Sequence, residues 1–383
     1  GNDLTANAST TVNANGAVNG NGGTINLTGS ANTGTGQLNL NGTVNAAGAG
    51  IGNGGTVNLT NNSSQILTVG SAPNVAAGGT SGNGGAITVR NTGNGTANGG
   101  IDINSNMIVN ATAATGTNTG GTITVDAASG TADGTIAISS TTISANGSGD
   151  SNADGGTINI EGAAVDFDFL GDQQILANAI TNGDGGTVSI RATDPTTGDI
   201  TKGSINADLI VQAAAINGDG GAITLDAAHD IDLGDVSSNN TLNTSTSIGN
   251  GGTITINVGN DILSSVITSN SRAISSGTGG TVDINVTRDI TDSFTIADVS
   301  SFNSGDAGVI TIDAGRDISG GVLAVLASAN AGNAGTITVN TGDDLISNAG
   351  IQASSSGNGN GGTISFNSST NTGAGIMQLS FNV

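Results

Sequence analysis

Residues 250–256 read Asn250-Gly251-Gly252-Thr253-Ile254-Thr255-Ile256. A glycine turn gives way there to alternating Thr and Ile. Alternation with period 2 describes a strand with one buried face and one wet face. The unit Gly-Gly-Thr-Ile-x-Ile recurs along the whole chain, usually after Asn-Gly or Asp-Gly. Its Thr position falls at Thr24, Thr56, Ala86, Thr122, Thr157, Thr187, Ala222, Thr253, Thr281, Val309, Thr336 and Thr363. The twelve anchors lie 32, 30, 36, 35, 30, 35, 31, 28, 28, 27 and 27 residues apart. Periods of this length mark stacked repeats, in which each unit buries its apolar face against its neighbours.

Two apolar columns follow from the anchors. One residue on stand Ile25, Val57, Ile87, Ile123, Ile158, Val188, Ile223, Ile254, Val282, Ile310, Ile337 and Ile364. Three residues on stand Leu27, Leu59, Val89, Val125, Ile160, Ile190, Leu225, Ile256, Ile284, Ile312, Val339 and Phe366. These columns predict the core. A second strand follows in most repeats, as in Gln37-Leu38-Asn39-Leu40, Thr135-Ile136-Ala137-Ile138 and Asp230-Ile231-Asp232-Leu233. A third short segment precedes the next glycine turn, as in Ile143-Ser144-Ala145 and Ile351-Gln352-Ala353. Three strands and three turns close one triangular coil. The expected fold is therefore all-β: a single right-handed parallel β-helix (β-solenoid) over residues 1–383, with about twelve coils of 27–36 residues. The hand follows from the preference of parallel crossovers. At ~4.8 Å per coil the rod is about 55–60 Å long. The glycine pair is expected to supply φ > 0 at a sharp corner. Asn is expected to stack in ladders whose amides bond along the axis.

Composition supports this and removes several functions. Of 383 residues 66 are Gly, 9% are charged and 2% are aromatic, whereas ordinary domains carry roughly a quarter charged residues and about 7% Gly. Such a polar, Gly-rich chain could be disordered, but the ordered recurrence of Ile, Val and Leu argues otherwise. A net charge of −23 excludes nucleic acid as a natural partner, because phosphate binding needs Lys/Arg stripes. It also disfavours anionic membrane surfaces. There is no Cys, hence no disulfide framework. No apolar run is long enough for a membrane span. The chain shows no signal peptide and does not begin with Met. It reads as a processed or excised piece of something longer.

The run Gly305-Asp306-Ala307-Gly308-Val309-Ile310-Thr311-Ile312-Asp313-Ala314-Gly315-Arg316-Asp317-Ile318 resembles the haemagglutinin-type repeat of filamentous-haemagglutinin-like exoproteins. Gly332-Asn333-Ala334-Gly335-Thr336-Ile337-Thr338-Val339, followed by Asp344-Leu345, is similar. The resemblance covers nearly the whole chain. It implies a large bacterial adhesin with a right-handed β-helical shaft, exported by two-partner secretion to the extracellular space or cell surface. The family's secretion domain, with its Asn-Pro-Asn-Leu type motif, is missing. Pro73 and Pro195 are the only prolines, and neither matches that motif.

Candidate sites divide into a bland and a sharp reading each. Asp230, Asp261, Asp289, Asp317 and Asp344 lie eight residues after their anchors, followed in register by Ile231, Ile262, Ile290, Ile318 and Leu345. Like charges one rung apart repel by roughly 0.9 kcal/mol even in bulk water, so something must offset them. Either each Asp bonds turn N–H groups and the row stays solvated, or the column holds calcium, which prefers several carboxylate oxygens. The Gly-Gly-x-Gly-x-Asp nonapeptide of calcium β-rolls is absent. Arg288 and Arg316 are placed to neutralise adjacent rungs. Calcium is the one cofactor these residues suggest.

Asp166 and Asp168, in Val165-Asp166-Phe167-Asp168-Phe169-Leu170, share a strand face, and paired carboxylates are the minimum for glycoside hydrolysis. Alternate strand residues always sit about 7 Å apart, and no aromatic sugar platform accompanies them, so a local aromatic-filled coil is the plainer reading. His229 is the only His and reads as a solvated turn residue beside Asp230. Gly-Asn-Gly-Gly runs lack the Lys-Ser/Thr ending and the following helix of a phosphate loop. Thr122/Thr124, Thr253/Thr255 and Thr336/Thr338 form the Thr-x-Thr face that ice-binding solenoids present, but Asn26, Asn58, Asn159 and Asp283 interrupt the column.

The expected function is thus an extracellular structural fibre or adhesin shaft, not an enzyme. Its expected partners are further copies end to end and a host or neighbouring-cell surface or polysaccharide. The alternatives are a polysaccharide-binding or polysaccharide-active β-helix and an ice-binding solenoid. The strand-like sequences of residues 1–20 and of Leu379-Ser380-Phe381-Asn382-Val383 suggest ends ready to continue.

Overall fold

The computed structural model describes residues 3–29, 36–70, 75–76, 82–93, 98–113, 118–128, 133–149, 152–168, 171–203, 207–234, 240–263, 266–291, 294–368 and 377–381. Phe169, Leu170, Asn382 and Val383 lie outside them. Among the described residues every regular element is a strand, every strand pairing is parallel, and no helix occurs. The fold is a β-solenoid.

Its first wall is a twelve-stranded parallel sheet running from Thr24–Thr28 to Thr363–Ser368. All twelve anchors stand in one register, Thr24 on Thr56, Thr56 on Ala86, Ala86 on Thr122 and so on to Thr336 on Thr363. A one-residue slip would turn the whole Ile/Val column outward, so the apolar pattern fixes the register. The two columns are buried from Val57 and Leu59 to Ile337 and Val339, with Leu27 and Phe366 partly buried at the ends, and join the inward residues of the other walls, such as Leu38, Leu40, Ile136, Ile138 and Ile143, in one continuous core. Burial fails at the last rung, where Ile364 is 42% exposed.

The second wall stacks the strands containing Leu38–Leu40, Ile136–Ile138 and Ile231–Asp232. The third stacks Thr43–Asn45, Thr142–Ser144 and Asn240–Asn243. Both belong to one 23-stranded sheet, because Ile318–Leu326 and Leu345–Gln352 run through both walls without a break. In the middle coils the chain adds a short fourth strand, stacked from Ala111–Ala113 to Ala273–Ser276. The coils are therefore triangular in outline but not uniformly three-stranded.

The glycine turn works differently from expectation. Positive φ belongs to the glycine two residues before the pair: Gly249 has φ 125° and Gly305 φ 137°. The pair Gly251-Gly252 does not adopt the left-handed region. Its constraint is space, since a Cβ on Gly251 would strike the Ser271 carbonyl and one on Gly252 the Gly221 carbonyl. Backbones of successive coils touch at this corner, and only hydrogen fits between them.

Candidate functional site: an aspartate ladder with a row of cations

From the coil begun at Ala222 to that begun at Thr336, the chain leaves the first wall, turns, and enters the second wall through an Asp-Ile or Asp-Leu pair. The Asp column stacks in register at that corner. The Asp261 N–H donates to Asp230 Oδ1 at 2.9 Å, Asp289 N–H to Asp261 Oδ1 at 2.9 Å, Asp317 N–H to Asp289 Oδ1 at 3.0 Å and Asp344 N–H to Asp317 Oδ1 at 2.9 Å. Each carboxylate thus satisfies the corner N–H one rung on. The hydrophobic residue after it donates to the next Asp carbonyl, as Ile231 does to Asp261 at 3.0 Å and Ile262 to Asp289 at 2.9 Å. Charge-assisted bonds of this kind are stronger than neutral ones, and they offset the repulsion along the row.

The ladder is longer than the spacing implied. Asp199 Oδ1 accepts the Asp230 N–H at 3.0 Å, and Ile200 pairs with Ile231. Asp199 lies twelve residues after Thr187, because a turn intervenes. There Asp194 Oδ1 accepts the N–H of Thr196 at 2.8 Å and of Thr197 at 3.2 Å. The Asp-Ile dipeptide, rather than its distance from the anchor, was the available signal.

The residue preceding each Asp forms a second row outside the first. Arg288 reaches Asp261 Oδ2 at 3.6 Å, Asp289 Oδ2 at 3.8 Å and Asn260 Oδ1 at 2.7 Å. Arg316 reaches Asp289 Oδ2 at 3.5 Å. Both arginines neutralise adjacent rungs as expected. His229 does more than expected of a solvated turn residue: its Nδ1 lies 2.8 Å from Asp199 Oδ1 and 3.2 Å from Asp230 Oδ2. The hydrogen bond to Asp199 raises the His229 pKa above the ordinary histidine value; partial burial opposes this and Asp230 reinforces it.

Asn and Asp repeat this backbone-capping device elsewhere. On the corner before the first wall, Asp184 N–H donates to Asp154, Asp219 N–H to Asp184 and Asn250 N–H to Asp219, at 2.8–2.9 Å. Asn146 N–H to Asn110 and Asn178 N–H to Asn146 do so on an inner corner. Amide-to-amide bonds also occur on the first wall, as from Asn58 to Asn26 at 2.7 Å, so the Asn ladders work mainly through the backbone and only partly through one another.

The other candidates are placed as follows. Asp166 lies on the second-wall strand Val165–Phe167, accepts the Thr201 hydroxyl at 3.1 Å, and lines with Asp168 and Asp102 a shallow depression of about 430 Å³. Phe167 points into the core, and the described lining holds no aromatic ring. The Thr-x-Thr pairs do lie on the outer face of the first wall, with Thr255 in register with Asp283. Two features carried no sequence signal. Lys202, beside Phe167 on the second wall, points inward and donates to the Ala207 carbonyl at 2.7 Å and Asn240 Oδ1 at 3.2 Å. Ile180, Ile216, Ile248, Ile274 and Phe302 form an exposed apolar stripe on the fourth-strand edge, each 39–51% exposed. Compared with protein-family models, curated proteins and solved structures, the chain matches none.

Proposed function

We propose that this chain is a length of extracellular structural shaft, of the bacterial adhesin type suggested by its haemagglutinin-like repeats, and that its coils continue end to end. The supporting observation is the unbroken register of the first wall. Its twelve strands pair in parallel with their anchors aligned, from Thr24–Thr28 to Thr363–Ser368. A stack built on one repeated pairing is extended by any coil of the same kind, whether in the same chain or in another copy. A heterologous contact of the second kind does not close and gives filaments. A row of self-capped corners with a thin aliphatic core suits a load-bearing rod, whose outer surface needs no reactive group.

Electron microscopy of this segment at rising concentration tests the reading. Rods that lengthen in steps of about 55–60 Å support stacking. Rods that stay single make a continuous polypeptide the source of length. Side-by-side bundling would instead assign association to the Ile180–Phe302 stripe and overturn the end-to-end contact.

A further inference from the structure

We propose that Asp199, His229 and Asp230 form a seat for a divalent d-block cation of the zinc class. The shaft reading neither requires nor predicts it. One imidazole nitrogen and one oxygen from each carboxylate lie within 4.8 Å of one another. The separations from Nδ1, 2.8 Å in the hydrogen bond to Asp199 and 3.2 Å to Asp230, lie within a few tenths of an ångström of what a common cation demands. Ligands ~2.1 Å from zinc sit ~3.0–3.4 Å apart in octahedral or tetrahedral geometry.

The ladder prepares this seat. Asp230 is anchored through Oδ1, which accepts the Asp261 N–H at 2.9 Å and the Asn260 amide at 2.8 Å, and its Oδ2 is the oxygen that faces the imidazole. Asp199 is oriented by the Asp230 N–H, which donates to the same Oδ1 that faces the imidazole. His229 is held by its backbone, which donates to the Gly198 carbonyl at 3.1 Å and accepts from Asn260 at 2.8 Å. Ligands fixed by outer-shell bonds lose little freedom on binding metal.

The neighbouring rungs supply an independent reason to expect a cation. At Asp261 and Asp289 the outward Oδ2 atoms face tethered guanidinium groups, Arg288 and Arg316. Two members of the row outside the ladder therefore place positive charge against these carboxylates, although Asn260 and Asp343 in the same row do not. At the Asp199–Asp230 step the row offers instead a group that can ligate. Imidazole with carboxylate suits zinc, nickel or copper better than calcium, which prefers all-oxygen sites of higher number.

His229 is the only imidazole in the chain, so its ring resonances are unambiguous. Titration of the full chain with zinc chloride should move the imidazole Cε1–H signal saturably at one equivalent. Calorimetry should show binding weakened at least about tenfold in H229Q and in D199N, and unchanged in D283N on the first wall. The Asn in D199N keeps an oxygen acceptor for the Asp230 N–H, so that variant retains the ladder even if H229Q does not fold. An unmoved imidazole at millimolar zinc, equal affinity in H229Q, or an equal shift with calcium would each overturn the proposal.

Discussion

The coils from Thr253 to Thr363 and those from Ala86 to Ala222 solve the same problem with different amounts of chain. The later coils are 27–28 residues long and the earlier ones 30–36. In the coils begun at Val309 and Thr336 the second and third walls fuse into single strands, Ile318–Leu326 and Leu345–Gln352. The earlier coils carry a fourth strand, which persists into the first 28-residue coil as Ala273–Ser276, and use extra residues for the turn at Asp194 and for polar groups inside: Lys202, Asn240, and Gln173, whose buried amide has no hydrogen-bond partner among the described residues. Each added corner exposes backbone that must be satisfied. The ladder runs through every short coil, while the long coils combine ladders, such as Asp154–Asp184–Asp219, with individual arrangements. Regularity here follows from coil length, and the following substitutions test it.

The largest effect belongs to the wall that both regions share. Ile254 is buried between Ile223 and Val282. Ile254→Asp leaves an uncompensated charge in the core, a change of roughly 3–5 kcal/mol, and neighbouring coils should open together because each rests on the next. Thr255→Ser on the outer face should be nearly silent. Limited proteolysis and denaturant unfolding of both variants check this. Equal damage from the two would mean that the faces are reversed.

Next in size is the glycine corner. Gly252→Ala forces a methyl group against the Gly221 carbonyl and should cost about 1–3 kcal/mol through overpacking. Gly171 has open space around its Cβ direction, so Gly171→Ala should change the melting temperature little. If both were tolerated, the corner would be looser than the touching backbones imply.

The ladder should respond less. Asp289→Ala removes the acceptor for the Asp317 N–H and should cost about 1 kcal/mol. Asp289→Asn keeps an oxygen in place and removes one like charge from the row, so it should lie close to wild type. Thermal melts of both variants decide whether the column is held by its acceptor geometry. A loss in Asn equal to that in Ala would make the negative charge itself the requirement, as a bound calcium row would.

The same contrast explains what the sequence could disclose. Strict periodicity made the first wall legible to the residue: twelve anchors in twelve strands. It also exposed the Asp column where coils are short. It failed where inserted residues change the count, which is why Asp199 was missed. Local reasoning about glycine chose the wrong cause, because close approach between coils is a property of the stack and not of the dipeptide. Lys202 was illegible for another reason. In Ile200-Thr201-Lys202 the alternation places a charge on the buried face, and no pattern reports that Ala207 and Asn240 are waiting for it.

Lys202 gives the smallest and cleanest test of that irregular interior. Burial pushes its amine below the ordinary lysine value, while Asp208 and Asp172 pull in the opposite direction. In the unfolded chain the amine titrates at ~10.4. Above that pH it is neutral in both states and contributes no penalty. As pH falls below that value the unfolded amine takes up its proton first and the buried amine only at lower pH, so folding is penalised at neutral pH and relieved as pH rises. The chain has one Lys, no Cys and no Tyr, and its arginines stay charged. Between about pH 9 and 11 no other side chain changes charge. Wild-type stability should therefore rise across that window, and Lys202→Met should flatten the rise while leaving the Asp ladder untouched. The effect is small because the Ala207 and Asn240 oxygens already replace part of the amine's hydration. Denaturant midpoints at several alkaline pH values measure it. A wild-type curve that is flat, or a slope that survives in Lys202→Met, would place the amine in water rather than in the core.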